Sequence, residues 1–166
     1  MAFIGIITSK RSEELSKKIF KNLFNENIIR RNNVVVINES NVNNIKNVLF
    51  ETIIINEDNV LIKNKIDSLK KILEKCKFLI LNSDIDINLE SIYRLKLTVI
   101  TYGLNLKSTI TASSIENEKV QICLQRSIKN INNKIIEPKE IYVDTKEQDI
   151  YRVMEQIIVE LIYKNN

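Results

Sequence analysis

The chain has 166 residues, of which 44% are hydrophobic and 28% charged, with a net charge of +4 and no histidine. That length suffices for one full core, so a single soluble domain spanning 1–166 is expected. Without histidine there is no Ser–His or Cys–His nucleophile pair, and most types of zinc site are excluded.

Taken in order, the first element is a strand: Ile4, Ile6 and Ile7 are branched residues around Gly5, as expected where both faces are covered. A turn, Thr8-Ser9-Lys10-Arg11-Ser12, leads into a helix with Leu15, Ile19, Phe20, Leu23 and Phe24 on one stripe. Ser12 suits its N-cap, and Glu13 and Glu14 suit the positive end of its dipole. A second buried strand is expected at Val34-Val35-Val36-Ile37, then a short helix over Val42, Ile45, Val48 and Leu49. Thr52-Ile53-Ile54-Ile55 is a third strand, and Ile66, Leu69, Ile72, Leu73 and Cys76 mark a clear amphipathic helix. Phe78-Leu79-Ile80-Leu81 is a fourth strand, ending in Asn82-Ser83-Asp84. A short helical piece over 89–95 and a fifth strand, Leu97-Thr98-Val99-Ile100-Thr101, follow. This alternation predicts an α/β fold with a mostly parallel sheet and helices on both faces.

After Gly103 the period changes. Val120, Ile122 and Leu124 alternate with Gln121, Cys123 and Gln125, which predicts an antiparallel hairpin around 116–118. Asn130 to Asn133 reads as a turn, and Ile135-Ile136 and Ile141-Tyr142-Val143 as edge strands around Pro138. Ile150, Val153, Met154, Ile157, Ile158, Leu161 and Ile162 form the last helix, capped by Asp144 with Glu147 or by Thr145 with Gln148. Cys76 and Cys123 read as ordinary packed thiols. No stretch has the length and apolarity of a membrane span, and the chain opens on a strand, not on a basic region followed by an apolar run. The expected compartment is the cytoplasm. The lysines are scattered among glutamates and aromatics are only 6%, so no motif points to nucleic acid.

Three stretches in order resemble the central, ATP-binding domain of the Mur ligases and folylpolyglutamate synthases. They are Asn82-Ser83-Asp84, then Val99-Ile100-Thr101-Tyr102-Gly103-Leu104-Asn105, then Thr109-Ile110-Thr111-Ala112-Ser113-Ser114-Ile115. In that family a strand ends in an Asn-x-Asp-type segment, and the next ends in Tyr-Gly before an Ala-containing hairpin. The resemblance implies a phosphate-loop type of fold over nearly the whole chain and a link to peptidoglycan-precursor synthesis. It covers only the family's middle domain, without the precursor-holding and amino-acid-delivering domains.

The departures bear on function. The family's loop reads Gly-Thr-x-Gly-Lys-Thr/Ser, and here Thr8, Ser9, Lys10, Arg11, Ser12 and Glu13 stand in its place. The glycines that let backbone wrap a phosphate are gone, Ser12 replaces the lysine, and Glu13 replaces the hydroxyl that would hold Mg²⁺. The family's magnesium-binding histidine has no counterpart, and its strand-end glutamate falls on Asn38, with Glu39 one residue off. The expectation is a non-catalytic binding or regulatory module with no cofactor, no metal and no catalytic residue. The alternative is a nucleotide-binding protein or ligase-like enzyme with altered contacts in the same crevice. Its vestigial site would lie at the strand ends, at Ser9, Lys10, Arg11, Ser12, Asn38, Asn56, Asn82 and Asp84, although polar residues end strands wherever a chain leaves its core. The expected partner is a second copy or another cytoplasmic protein, with the strand-like segment 135–143 as an edge open to pairing.

Overall fold

A computed structural model describes residues 3–8, 20, 33–56, 65–85, 94–116, 119–145 and 149–164. Among the described residues eight strands form one sheet, in the order Lys139–Asp144, Lys119–Leu124, Ile110–Glu116, Thr98–Tyr102, Phe78–Asn82, Phe50–Ile55, Phe3–Ile7 and Val34–Ile37, and two more form a separate ribbon. The chain divides into two compact units. The first draws its described residues from 1–18, 30–81 and 85–99, the second from 19–29, 82–84 and 100–166.

The first unit holds β1 (Phe3–Ile7), β2 (Val34–Ile37), β3 (Phe50–Ile55) and most of β4 (Phe78–Asn82). All are parallel: Ile4 lies beside Val34 and Thr52, and Thr52 beside Phe78. Their near-continuous apolar runs fit strands covered on both faces, and β4 is buried throughout. Helix α1 (Ile66–Leu73) buries Leu69, Ile72 and Leu73 in a cluster with Ile53, Ile55 and Leu79. Gly5 sits tightly in this packing. A Cβ there would stand 2.5 Å from Ile53 Cδ1 and 2.7 Å from Ile37 Cδ1.

The short helix expected over 42–49 does not form; residues 39–48 are a run of turns and bends. The turns just before it are set by asparagine side chains, which offer the backbone local alternatives to helical bonds. Asn38 Oδ1 accepts from the Ser40 N–H at 3.0 Å, and Asn41 Nδ2 donates to the Val36 carbonyl at 2.8 Å. Val42 is buried nonetheless, whereas Leu49 is exposed.

The second unit holds the end of β5 (Thr98–Tyr102), then β6 (Ile110–Glu116), β7 (Lys119–Leu124) and β10 (Lys139–Asp144). β5 and β6 are parallel, whereas β6–β7 and β7–β10 are antiparallel. The expected hairpin is therefore present, with Val120, Ile122 and Leu124 buried and Gln121 and Cys123 half-buried. The residues flanking Pro138 part company: β9 (Ile135–Ile136) pairs with β8 (Ile128–Lys129) in the ribbon, while β10 is an edge of the large sheet. Asn133, with φ of 61°, makes the turn between β8 and β9.

Helix α2 (Ile150–Tyr163) buries Val153, Met154, Ile157, Ile158 and Ile162, as its stripe predicts. Glu155 and Val159 are buried as well. Neither expected capping box is the cap. Asp149 is the N-cap, and its Oδ1 accepts from the Tyr151 N–H at 3.0 Å. The expected helix from Ser12 lies outside the described residues. So does most of the piece over 89–95, whose described end, Arg94 and Leu95, is a turn and bend.

Candidate functional site

Of the strand-end residues singled out above, Ser9, Lys10, Arg11 and Ser12 lie outside the described residues. Asn38 and Asn56 belong to the first unit, Asn82 and Asp84 to the second. Asn38 is absorbed by its own turn, because its Oδ1 also accepts from the Ser40 hydroxyl and the Asn41 N–H. Asn56 follows β3 and is half-buried.

Asn82 and Asp84 open a hydrogen-bonded cluster in the second unit. Asn82 is buried at the end of β4, and its Oδ1 accepts from the Asp84 N–H at 3.0 Å, which turns the chain out of the strand. Ser83 joins that turn to the end of β5. Its N–H donates to the Tyr102 carbonyl at 2.8 Å, and its Oγ lies 2.7 Å from Ser108 Oγ.

Asp84 then reaches the loop after β5. Its Oδ2 accepts from the Leu104 N–H at 2.6 Å and from the Tyr151 hydroxyl at 3.1 Å, and its Oδ1 accepts from Asn105 Nδ2 at 2.6 Å. Asn105 Nδ2 also donates to Ser83 Oγ at 3.0 Å, and Asn105 Oδ1 accepts from the Lys107 N–H at 2.9 Å. Gly103 leaves the room that the carboxylate occupies. A Cβ there would lie 2.8 Å from the Asp84 carboxyl atoms. The loop is thus tied at its start, middle and end, and it presents two leucines to solvent, Leu104 at 47% exposure and Leu106 at 85%.

The electrostatics follow from this geometry. Partial burial pushes the Asp84 carboxyl up. The bonds from Asn105, Leu104 and Tyr151 outweigh it and hold the group below the usual carboxylate range. Tyr151 is raised, by burial and by the carboxylate it donates to. Deeper in the unit the Tyr102 hydroxyl is fully buried and has no hydrogen-bond partner among the described residues, and burial followed by the nearby Glu155 raises it far above the usual phenol range. Arg152 Nη1 is 3.5 Å from Glu155 Oε2.

A carboxylate with a depressed pKa and both oxygens engaged is a poor general base. Among the described residues there is no group of three or more His, Cys, Asp or Glu able to hold a metal ion. Burial pushes the Cys76 thiol up to about 12, so it is no nucleophile near neutral pH. Gly103 and Asn105 lie in the Tyr102-Gly103-Leu104-Asn105 stretch singled out in the sequence, though not among the expected site residues, whereas Ser108 and Tyr151 carry no signal of a site there. Tyr151 stands 67 positions from Asp84, beyond any local pattern.

No protein-family model matches the chain, and no curated protein is significantly similar to it.

Proposed function

We propose that this chain is a non-catalytic binding or regulatory module, built on a degenerate relative of the Mur ligase-type ATPase domain. One observation carries the reading. The Oδ1 of Asn82 and both carboxylate oxygens of Asp84, which a nucleotide enzyme would aim at ligand or metal, are spent on the chain's own turn and loop. The product of those bonds is a fixed display of Leu104 and Leu106, and a pre-ordered apolar loop binds a protein without the entropic cost of ordering itself. In this reading the module works in the cytoplasm by association, with a second copy or with another protein.

A second reading rests on strand order. The chain runs from β1 outward to β2 and then returns to β3 on the other side of β1, and open α/β sheets bind ligands at the carboxyl ends of strands at such a reversal. Thr8 and Asn56 follow the two strands concerned. A nucleotide-binding protein would use that position.

Calorimetric titration with Mg-ATP separates the two. The module should show no saturable heat at micromolar nucleotide and no hydrolysis above background. A defined stoichiometry at micromolar affinity would establish the second reading in its place.

A further inference from the structure

We infer that the outer edge of β10 is a homodimer contact, in which two copies pair antiparallel with Ile141 opposite Ile141. The inference rests on the reading of the protein as an assembling module and names its partner as a second copy of this chain.

Among the described strands β10 is hydrogen-bonded on one side only, to β7. Among the described residues no strand pairs with its far side, and an edge of that kind is the usual template for strand addition. It is a full strand of six residues, and Tyr142 stands on it at 74% exposure.

Symmetry and charge select the register. A two-fold axis normal to an antiparallel ladder passes through the midpoint of a directly opposed pair, so the pairing must be centred on one residue facing its own copy. Centring on Glu140 sets two glutamates face to face. Centring on Tyr142 opposes Glu140 with Asp144, twice by symmetry. Like charges directly opposite destabilise a sheet, so both registers are disfavoured. Centring on Val143 keeps only residues 142–144 of the strand within the pairing. Centring on Ile141 pairs 139–143 with no like charges opposed. Lys139 then faces Val143, and Glu140 faces Tyr142 of the other copy. The Tyr142 hydroxyl already lies 3.4 Å from Glu140 Oε2 of its own strand, so the same donor and acceptor types meet across the new contact. Pro138, which cannot donate to a ladder, falls just outside the paired residues. Five residues a side make a small contact beside the about 1,200–2,000 Å² buried by stable complexes. Monomer and dimer should therefore exchange as concentration varies.

Light scattering coupled to size exclusion, from micromolar to millimolar protein, should show the mass rising from monomer towards dimer. Tyr142→Lys places an ammonium opposite Glu140 and should tighten the dimer several-fold. Tyr142→Glu places like charges there and should weaken it several-fold. Tyr142 is exposed, so neither change threatens the fold. In a Cys123→Ser background, oxidised Ile141→Cys should form a covalent dimer, whereas Val143→Cys, four residues out of register with its own copy, should not. A monomer at every concentration overturns the inference, and this includes the case in which the edge serves a different protein. A dimer that cross-links at Val143 and not at Ile141, or that ignores the charge at position 142, overturns it too. ATP binding with an intact dimer would defeat only the functional reading above.

Discussion

Asp84 shows how one side chain decides what a strand end is for. Its position after a buried strand was plain in the sequence, and so was its polarity. Its role was not, because three of its donors belong to Leu104, Asn105 and Tyr151, which are remote in sequence. Asp84→Ala should cost about 1–2 kcal/mol in urea denaturation, the loss of several charge-assisted but solvent-exposed bonds. It should also raise the hydrogen-exchange rate of the Leu104 amide. Gly103→Ala should cost about 1–3 kcal/mol, because its Cβ meets the carboxylate at 2.8 Å and one of them must shift. In the Asp84→Ala background the same change should cost far less, since the colliding group is gone; additive costs would refute the contact. The pH dependence has a definite sign. The folded pKa of Asp84 lies below the ordinary value, so its stabilisation is present above the ordinary carboxylate range and fades as pH falls through the depressed value. The stability gap between the native protein and Asp84→Asn should narrow on acidification. A gap that widened would contradict the assignment. Solvent screening at this exposed site keeps the effect modest.

Elements with strong periodicity were readable, and those governed by local hydrogen bonds were not. β1, β2, β3, β4, the hairpin and α2 follow from apolar runs or alternation, whose physical cause is burial on two faces, one face or a stripe. Over 42–49 the apolar spacing suits a helix, but the backbone closes three-residue turns instead, with the Asn44 N–H on the Asn41 carbonyl and the Val48 N–H on the Ile45 carbonyl. The start of α2 was misplaced for a related reason. Asp144, Thr145 and Asp149 are all competent caps by composition, and only geometry shows that Asp149 bonds the Tyr151 N–H. Asp149→Ala should therefore destabilise the protein by about 1 kcal/mol in urea denaturation, whereas Asp144→Ala should be close to neutral. Equal effects from the two would return the cap to the earlier position. The other end of α2 is fixed by a residue no helix pattern marks: the Ile131 N–H donates to the Ile162 carbonyl at 3.1 Å.

At the scale of the whole molecule, the alternation of strands and helices gave a mostly parallel sheet, but periodicity carries no information on strand order or on how the chain is shared between units. Each unit is assembled from non-contiguous segments, and the chain passes from one to the other within both β4 and β5. Residues 82–84 belong to the second unit although the chain on either side of them belongs to the first. No cut of the backbone therefore yields either unit whole. A fragment of residues 100–166 would lack Ser83 and Asp84, and with them the bonds that tie Leu104, Asn105 and Ser108. Such interleaving argues that the two units unfold together, because melting one removes strand residues continuous with the other. The chain offers a direct measurement. It has no tryptophan, and Tyr102, Tyr142, Tyr151 and Tyr163 all lie in the second unit, so intrinsic fluorescence reports mainly there. Far-ultraviolet circular dichroism reports on both units. Urea transitions followed by the two signals should coincide in midpoint and slope. A fluorescence transition displaced from the dichroism transition would mean that the second unit melts separately, and would refute a single cooperative fold.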